Sequence, residues 1–354
     1  MSRIIVAGAG GAPSENVIWS LQECEKKEEI IGIGSEPTDL MISSAIRKYH
    51  VPYAVEKSYK ESLKKIINIE KPNLIHFQND IEIREASRFR GELEAMGVRV
   101  YMPSHEVIEV CVDKEKSYRI WASNGIKVPK TMLVNNEKDL KNAFDKFGNH
   151  EGNIWLRATE GGGGRGALPT NDYEFAKIWI DRYKGWGAFT AASLLTEKTV
   201  TWLSIWHEGE LVVAQTRKRL AWNFGNRTLS GVTGITGVGV TCSSDIVTKV
   251  AVDSISSIDK KPHGIYGVDM TYDTSNFPNP TEINISRFFT TVHFFTKAGL
   301  NMPKIFKDIA IYDEFPSIEK KINPLPDGLV WIRGMDREPL LTTEKKMLET
   351  IREV

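Results

Sequence analysis

Hydrophobic and polar positions along the chain switch between a period of two and a period near 3.6. Arg3 to Ala7 is a short apolar run that enters the turn Gly8-Ala-Gly10-Gly11-Ala-Pro-Ser14, as a strand followed by a loop does. Ser14 is placed to cap a helix in which Val17, Ile18, Leu21 and Cys24 share a face. Glu29 to Gly34 reads as a second strand. Tyr59 to Glu70 reads as a helix with Leu63, Ile66 and Ile67 inward, and Asn73 to Phe77 as a buried strand ending in Gln78-Asn79-Asp80. A helix over Ile83 to Met96 and a strand over Val98 to Met102 follow. Repeated β-α units of this length predict a parallel, doubly wound sheet over residues 1 to about 104. Gln78-Asn79-Asp80 then lies at the carboxyl end of a strand, where such sheets hold ligands, or is simple turn chemistry.

The pattern changes after Ser104-His-Glu-Val, a helix start. Asp113-Lys114 precedes a helix through Ile120 to Asn124, Gly125 stops it, and Ile126 to Pro129 leaves as extended chain. Helices are expected over Glu137 to Phe147, over Tyr173 to Tyr183 with Asn171 or Asp172 as cap, over Asp245 to Lys260, and near Pro303 to Ile311. Residues 188–195, 199–207 and 210–219 are strand-like, and residues 221–243 read as irregular, rich in Gly and Thr. That length without structure is usually a functional loop or a flexible rim. Ile265 to Thr271 and Pro280 to Ile285 alternate and are joined by the turn-rich Asp-Thr-Ser-Asn-Phe-Pro-Asn, which predicts an antiparallel pair.

Two places in this second part carry chemistry. Glu282 and Asn284 are two apart on a strand and point to one face, which Asp269 on the partner strand can join. Two carboxylates and an amide oxygen make a hard oxygen site suited to Mg²⁺ and completed by phosphate; a solvated polar strand face is the alternative. Asn153 to Arg157 is a strand that runs into Ala158-Thr-Glu-Gly161-Gly-Gly-Gly164-Arg165-Gly166. Five glycines in six residues give a loop whose bare N–H groups can close round phosphate oxygens, or a flexible hairpin tip. Arg157 and Arg165 add cations in the same place. The loop lacks the Gly-Lys-Ser/Thr of a P-loop, and Pro13 spoils a dinucleotide fingerprint in the first turn.

Composition narrows the classes further. Among 354 residues, 46 basic and 46 acidic side chains balance, so no global field draws nucleic acid or anionic membrane. No apolar run approaches the ~20 residues of a membrane span. The first residues read as a strand rather than a signal peptide. Three cysteines far apart suggest reduced thiols and a cytoplasmic location.

Taken in order, these features resemble the ATP-grasp superfamily over nearly the whole chain, most closely the carbamoyl-phosphate synthetase large-chain and biotin carboxylase branch. Asp113-Lys114 with Ala122-Ser-Asn-Gly125-Ile-Lys-Val-Pro129-Lys-Thr131 looks like the family's entry segment, and Asn153 to Gly166 like its triphosphate-covering strand and loop. The resemblance implies an α/β fold: a doubly wound pre-ATP-grasp domain (1–108), an ATP-grasp domain (109–310) with a small Gly-rich lid about 125–190, and a C-terminal extension (311–354). It implies Lys114 and Arg157 on the α/β phosphates, Gly161, Gly162, Gly163, Gly164, Arg165 and Gly166 over the β/γ phosphates, and an adenine slot at Phe189 to Leu195. It further implies Asp269, Glu282 and Asn284 on one or two Mg²⁺ ions, and Arg287 facing the transferred group. Arg217 and Arg219, which share a strand face, are the expected carboxylate binders, or else belong to a solvated basic edge. Trp222, Phe224 and Arg227 are expected to shape the acceptor pocket.

Three departures stand out. Glu160 replaces a glycine at the loop's start, and Ala192-Ser193 stands where a Glu-Glu pair usually reads the ribose, with Glu197 as substitute. Two residues, Ile285-Ser286, separate Asn284 from Arg287 where one is commoner. The activity implied is an ATP-dependent ligase that phosphorylates a small-molecule carboxylate to an acyl phosphate, which an amine attacks, giving ADP and phosphate. A bicarbonate- or carbamate-phosphorylating enzyme and a non-catalytic ATP-binding regulator are the alternatives. A homodimer is plausible; nucleic acid and membrane are not expected partners.

Overall fold

The computed structural model describes residues 2–25, 27–164, 166–232, 234–334 and 340–346. Arg165 lies outside the described residues. The first sheet is parallel: β1 (Arg3–Ala7), β2 (Glu29–Gly34), β3 (Arg47–His50) and β4 (Leu74–His76), in the order β3-β2-β1-β4. Helices cover both faces, so its central strands are apolar on both sides; Ile4, Ile5 and Val6 are fully buried.

Local chemistry differs from expectation at three points here. Ser14 does not cap its helix. The helix Ala12–Gln22 starts after Gly11, Ser14 Oγ donates to the Ala7 carbonyl (2.7 Å), and Glu15 accepts from Gly10 N–H (2.9 Å). Pro at the first turn and a carboxylate do the capping instead. Residues 83–96 form two helices, Asp80–Arg88 and Arg90–Glu94, broken at Phe89. Val98 to Met102 makes one bridge, Arg99 to Leu74, and otherwise supplies buried apolar side chains to the core.

Glu82, in the first of those helices, is buried, and burial pushes its carboxyl up to about 7 against hydrogen bonds from Tyr59 and Asn79. An acid with a raised folded-state pKa contributes stability that is complete below its unfolded value and is lost as pH rises through the folded one. Glu82→Gln is therefore expected to match the parent near pH 4.5 and to exceed it by about 2–3 kcal/mol at pH 8. Urea midpoints at the two pH values check this, and a gap that ignores pH counts against it.

The second sheet is antiparallel: β5 (Thr131–Val134), β6 (Ile154–Ala158), β7 (Leu168–Thr170) and β8 (Phe189–Ser193), in the order β5-β8-β6-β7. Two helices, Glu137–Phe147 and Tyr173–Arg182, pack on one face through Leu140, Ala143, Ala176 and Ile180. Their caps are Asn136, which accepts from Asp139 N–H, and Asp172, which accepts from Phe175 N–H. The other face is left for the site.

The third sheet has seven antiparallel strands: β9 (Thr199–His207), β10 (Glu210–Trp222), β11 (Thr236–Thr241), β12 (Gly264–Tyr272), β13 (Pro278–Ile285), β14 (Leu329–Ile332) and β15 (Leu340–Thr343). Their order is β13-β12-β9-β10-β11-β14-β15, so the chain after 311 adds two strands to this sheet. The irregular stretch is shorter than its composition suggests. β10 continues to Trp222 through a bulge between Arg219 and Trp222, and β11 pairs with it. Gly237 and Gly239 hide the period of two in β11 because both sit where a Cβ would collide, with Asn223 Oδ1 (2.3 Å) and Arg217 Cδ (2.9 Å) respectively.

The turn after β13 fastens the first sheet to the third. Phe288, Phe289, Val292, Phe294 and Phe295 pack with Val17, Ile18 and Ile4 in one core. Gln78 at the end of β4 accepts from Phe288 N–H (2.8 Å). All three cysteines are free and buried, and among the described residues no helix is long and apolar enough to cross a membrane.

Candidate active site

A cavity of about 560 Å³ lies between the open face of the second sheet and β9, β10, β12 and β13, within the usual range of small-molecule sites. It brings together Lys114, Arg157, Gly161 to Gly164, Leu195, Arg219, Asp269 and Glu282. Asn284, Gly166, Arg217 and Arg287 do not line it.

The cationic side is built from the backbone outward. Asp113 caps the helix Lys114–Ser123 by accepting from Glu115 and Lys116 N–H. This fixes Lys114 at the first turn, where its Nζ donates to Gly161 O (2.6 Å) and stands 3.6 Å from Glu282 Oε2. Arg157 leaves β6 on the cavity face and donates to Thr281 O (2.8 Å); burial pulls its pKa down, against the pull of Glu282. Gly161, Gly163, Gly164 and Gly166 all have φ between 69° and 94°, a region that excludes most side chains. The loop is folded over the cavity against Val232 and Gly234: a Cβ on Gly164 would lie 2.6 Å from Val232 O, and one on Gly234 would lie 2.6 Å from Gly163 Cα. Gly166 instead packs on Phe189 and accepts from Trp179 Nε1 (3.0 Å).

The anionic side follows from register. Asp269 on β12 is the direct partner of Glu282 on β13, and Asn284 partners Gly267 two positions on. Both carboxylates open on the cavity. Asp269 accepts from Thr201 Oγ1 and from Asn284 Nδ2 (3.0 Å), and Arg219 Nη2 lies 3.7 Å away. Asn284 Oδ1 accepts from Arg287 Nη2 and keeps a second lone pair. Two carboxylates and an amide oxygen on one strand pair form an oxygen-only donor set, which fits a hard divalent cation.

One contributor, Trp155, was not legible from the sequence. Trp155 sits two residues before Arg157 and so shares its face; in register with Pro169 on β7 and Ala192 on β8, it gives the cavity a flat apolar wall. The i, i+2 spacing to Arg157 was the available signal. Trp222 lines the mouth with the Arg219 guanidinium 3.8 Å from its ring centroid, and Glu197 also lines the cavity. Phe224 and Arg227 stack on each other outside it.

Arg217 is 1% exposed, behind the cavity. It donates to Thr236 and Thr291 (3.0 Å each) and to Thr201 (3.1 Å), and rests 4.4 Å over Phe289. Arg287 is held by Asp80 of the first sheet's helix, Nε to Oδ1 2.7 Å and Nη2 to Oδ2 3.3 Å.

No family model and no curated protein matches the chain. Solved structures do. An L-amino acid ligase from Bacillus licheniformis superposes with a TM-score of 0.69 at 11% identity, covering 94% of this chain and 79% of that one. N5-carboxyaminoimidazole synthetase from Staphylococcus aureus, complexed with ADP, gives 0.69 at 14% identity over 94% and 82%. The biotin carboxylase domain dimer of Hydrogenobacter thermophilus 2-oxoglutarate carboxylase, in complex with MgADP, ADP and bicarbonate, gives 0.68 at 16% over 94% and 73%. At such identities the likeness carries the architecture, and the architecture is that of the ATP-grasp enzymes: this chain has the ATP-grasp fold.

Proposed function

We propose that the protein is an ATP-dependent ligase that uses MgATP to convert a small-molecule carboxylate into an acyl phosphate, which an amine then attacks, releasing ADP and phosphate. The observation that carries this reading is the single cavity in which Lys114, Arg157 and the folded glycine loop face the Asp269–Glu282 pair. A triphosphate brings about four negative charges, and its transfer needs positioning and charge neutralisation more than covalent help from the protein. Lys114 and Arg157 hold the α/β phosphates, and the N–H groups of Gly161 to Gly164 close on the β/γ phosphates. The apolar wall of Trp155, Pro169 and Ala192 takes the base beside Leu195, with Glu197 on the ribose.

Asp269, Glu282 and Asn284 would hold one or two Mg²⁺ ions. The metal, when bound, neutralises charge between the phosphates as a Lewis acid. Arg219, kept upright by Thr199, Thr236 and Trp222, orients the acceptor carboxylate, and Arg287 faces the transferred phosphoryl group. The division into a first domain (1–108), a grasp domain (109–310) with its lid, and a C-terminal extension, together with a homodimeric state and a cytoplasmic location, belongs to the same reading.

The test is ADP and phosphate release from MgATP with pooled carboxylates and amines, then with hydroxylamine in place of the amine. Hydroxamate formation reports the acyl phosphate directly. ATP consumption without hydroxamate from any carboxylate would discard the acyl-phosphate step. Gly164→Ala adds a Cβ against the Val232 carbonyl at positive φ, so ATP affinity is expected to fall roughly 10–100-fold. Calorimetric titration with a non-hydrolysable ATP analogue measures it, and affinity within threefold of the parent would mean that the loop need not close there.

A further inference from the structure

Outside the cavity, one helix touches two parts of the proposed machinery at once. The helix Asp80–Arg88 starts at the carboxyl end of β4, with Asn79 as cap accepting from Glu82 N–H (2.9 Å). Asp80 and Arg84 are four residues apart and share a face. Asp80 grips Arg287 through both carboxylate oxygens. A Cβ on Gly162 would lie 3.6 Å from Asp80 Oδ2, so the glycine loop runs directly beside the pair. Arg84 uses Nε and Nη2 on Glu109 (2.7 and 2.6 Å) and Nη1 on Glu160 (2.9 Å), the residue just before the loop glycines.

From Arg287 the hydrogen bonds continue inward: Nη2 donates to Asn284 Oδ1, Asn284 Nδ2 donates to Asp269 Oδ2, and Thr201 donates to Asp269 Oδ1. Asp80 is the outer end of this series and the only carboxylate bonded to Arg287 in it. Among the described residues, Asn284 is the one side chain that hydrogen-bonds both Arg287 and Asp269. If Asn284 turns its amide toward a bound cation, Arg287 is left with Asp80 as its anchor.

We propose that Asp80 is a positioning residue for the ligase site. It fixes the Arg287 guanidinium from the first domain, while Arg84 on the same helix face holds the entrance of the glycine loop through Glu160. This rests on the ligase reading above. It also gives Glu160 a purpose: its carboxylate faces away from the phosphates toward Arg84.

The experiment is a double-mutant cycle on ADP release with Asp80→Asn, Arg287→Ala and the double variant, alongside MgADP affinity and thermal melts. Asp80→Asn is expected to lower kcat about 10–100-fold, to leave MgADP affinity within threefold, and to have little further effect once Arg287 is alanine. Asp80→Glu should recover part of the loss. Equal losses in the Arg287 and Arg287→Ala backgrounds would mean that Asp80 acts without Arg287 and would overturn the assignment. So would unchanged kcat in Asp80→Asn, with the ligase reading intact. A wild type that releases no ADP with any acceptor overturns both, and the wild-type baseline tells these cases apart.

Discussion

Glu282→Gln is expected to reduce MgATP-dependent ADP release by about three orders of magnitude, close to 4 kcal/mol of transition-state stabilisation. The substitution keeps the size of the side chain and removes one of the two anionic oxygen donors of the Asp269–Glu282 pair. It should not disturb the fold. Glu282 has 30% of its side chain exposed, and Lys114 stands 3.6 Å from it, beyond hydrogen-bond reach. Asp269→Asn makes the contrasting case. Asp269 takes hydrogen bonds from Thr201 and Asn284, so the amide must place an NH₂ group against a donor. That variant is expected to lose about 1–3 kcal/mol of stability as well as activity. Activity and urea midpoints measured side by side separate the two. Glu282→Gln activity within tenfold of the parent at saturating Mg²⁺ would remove Glu282 from the cation site.

The parts of this site that could be read from the chain are those set by local periodicity. That Glu282 and Asn284 share a strand face, which Asp269 on the partner strand can join, follows from two alternating runs; the direct pairing of Asp269 with Glu282 depends on a register shift between Asp269 and Met270 that the pattern does not show. The glycine loop is legible because positive φ leaves few other residues. What could not be read depends on distant approach. Asp80 and Arg287 are 207 residues apart, and nothing in the local pattern at either end marks the pair. β11 escaped because its glycines make room for Arg217 and Asn223, and that room is visible only when β10 lies beside it. Ser14 looked like a cap by type, but Gly11, Pro13 and Glu15 together outcompeted it, leaving its hydroxyl to the Ala7 carbonyl. The basic triplet at 217–219 divides by the pleat, with Lys218 exposed and the two arginines turned inward. Both arginines precede the β10 bulge, and of the two only Arg219 lines the cavity, beside Trp222.

Arg217→Met is expected to stabilise the fold by about 1–3 kcal/mol while lowering turnover roughly 100-fold. The guanidinium is fully buried and bonds only to threonine hydroxyls, and its Nε has no partner among the described residues. Burial, then the neighbouring Arg219, push its pKa down to about 9, with Asp269 pulling the other way. A base with a depressed folded-state pKa is protonated more readily in the unfolded chain. The charge therefore costs stability at every pH below about 9, and the cost fades as pH rises toward 12.5. Methionine removes the charge and keeps an apolar contact with Phe289. Two of the three threonines retain partners, since Thr201 donates to Asp269 and Thr236 accepts from Arg219 (3.0 Å). Thr201 and Thr291 each lose the donor to their hydroxyl oxygen, and Thr291 alone of the three keeps no other side-chain hydrogen bond among the described residues, a smaller loss than the charge that is removed. From behind Asp269 and Arg219, the buried charge would project a positive potential toward the proposed anionic acceptor. Urea midpoints and ADP release of Arg217→Met decide between that and a packing role: a variant less stable than the parent by more than ~1 kcal/mol, with unchanged acceptor KM, makes Arg217 a structural residue.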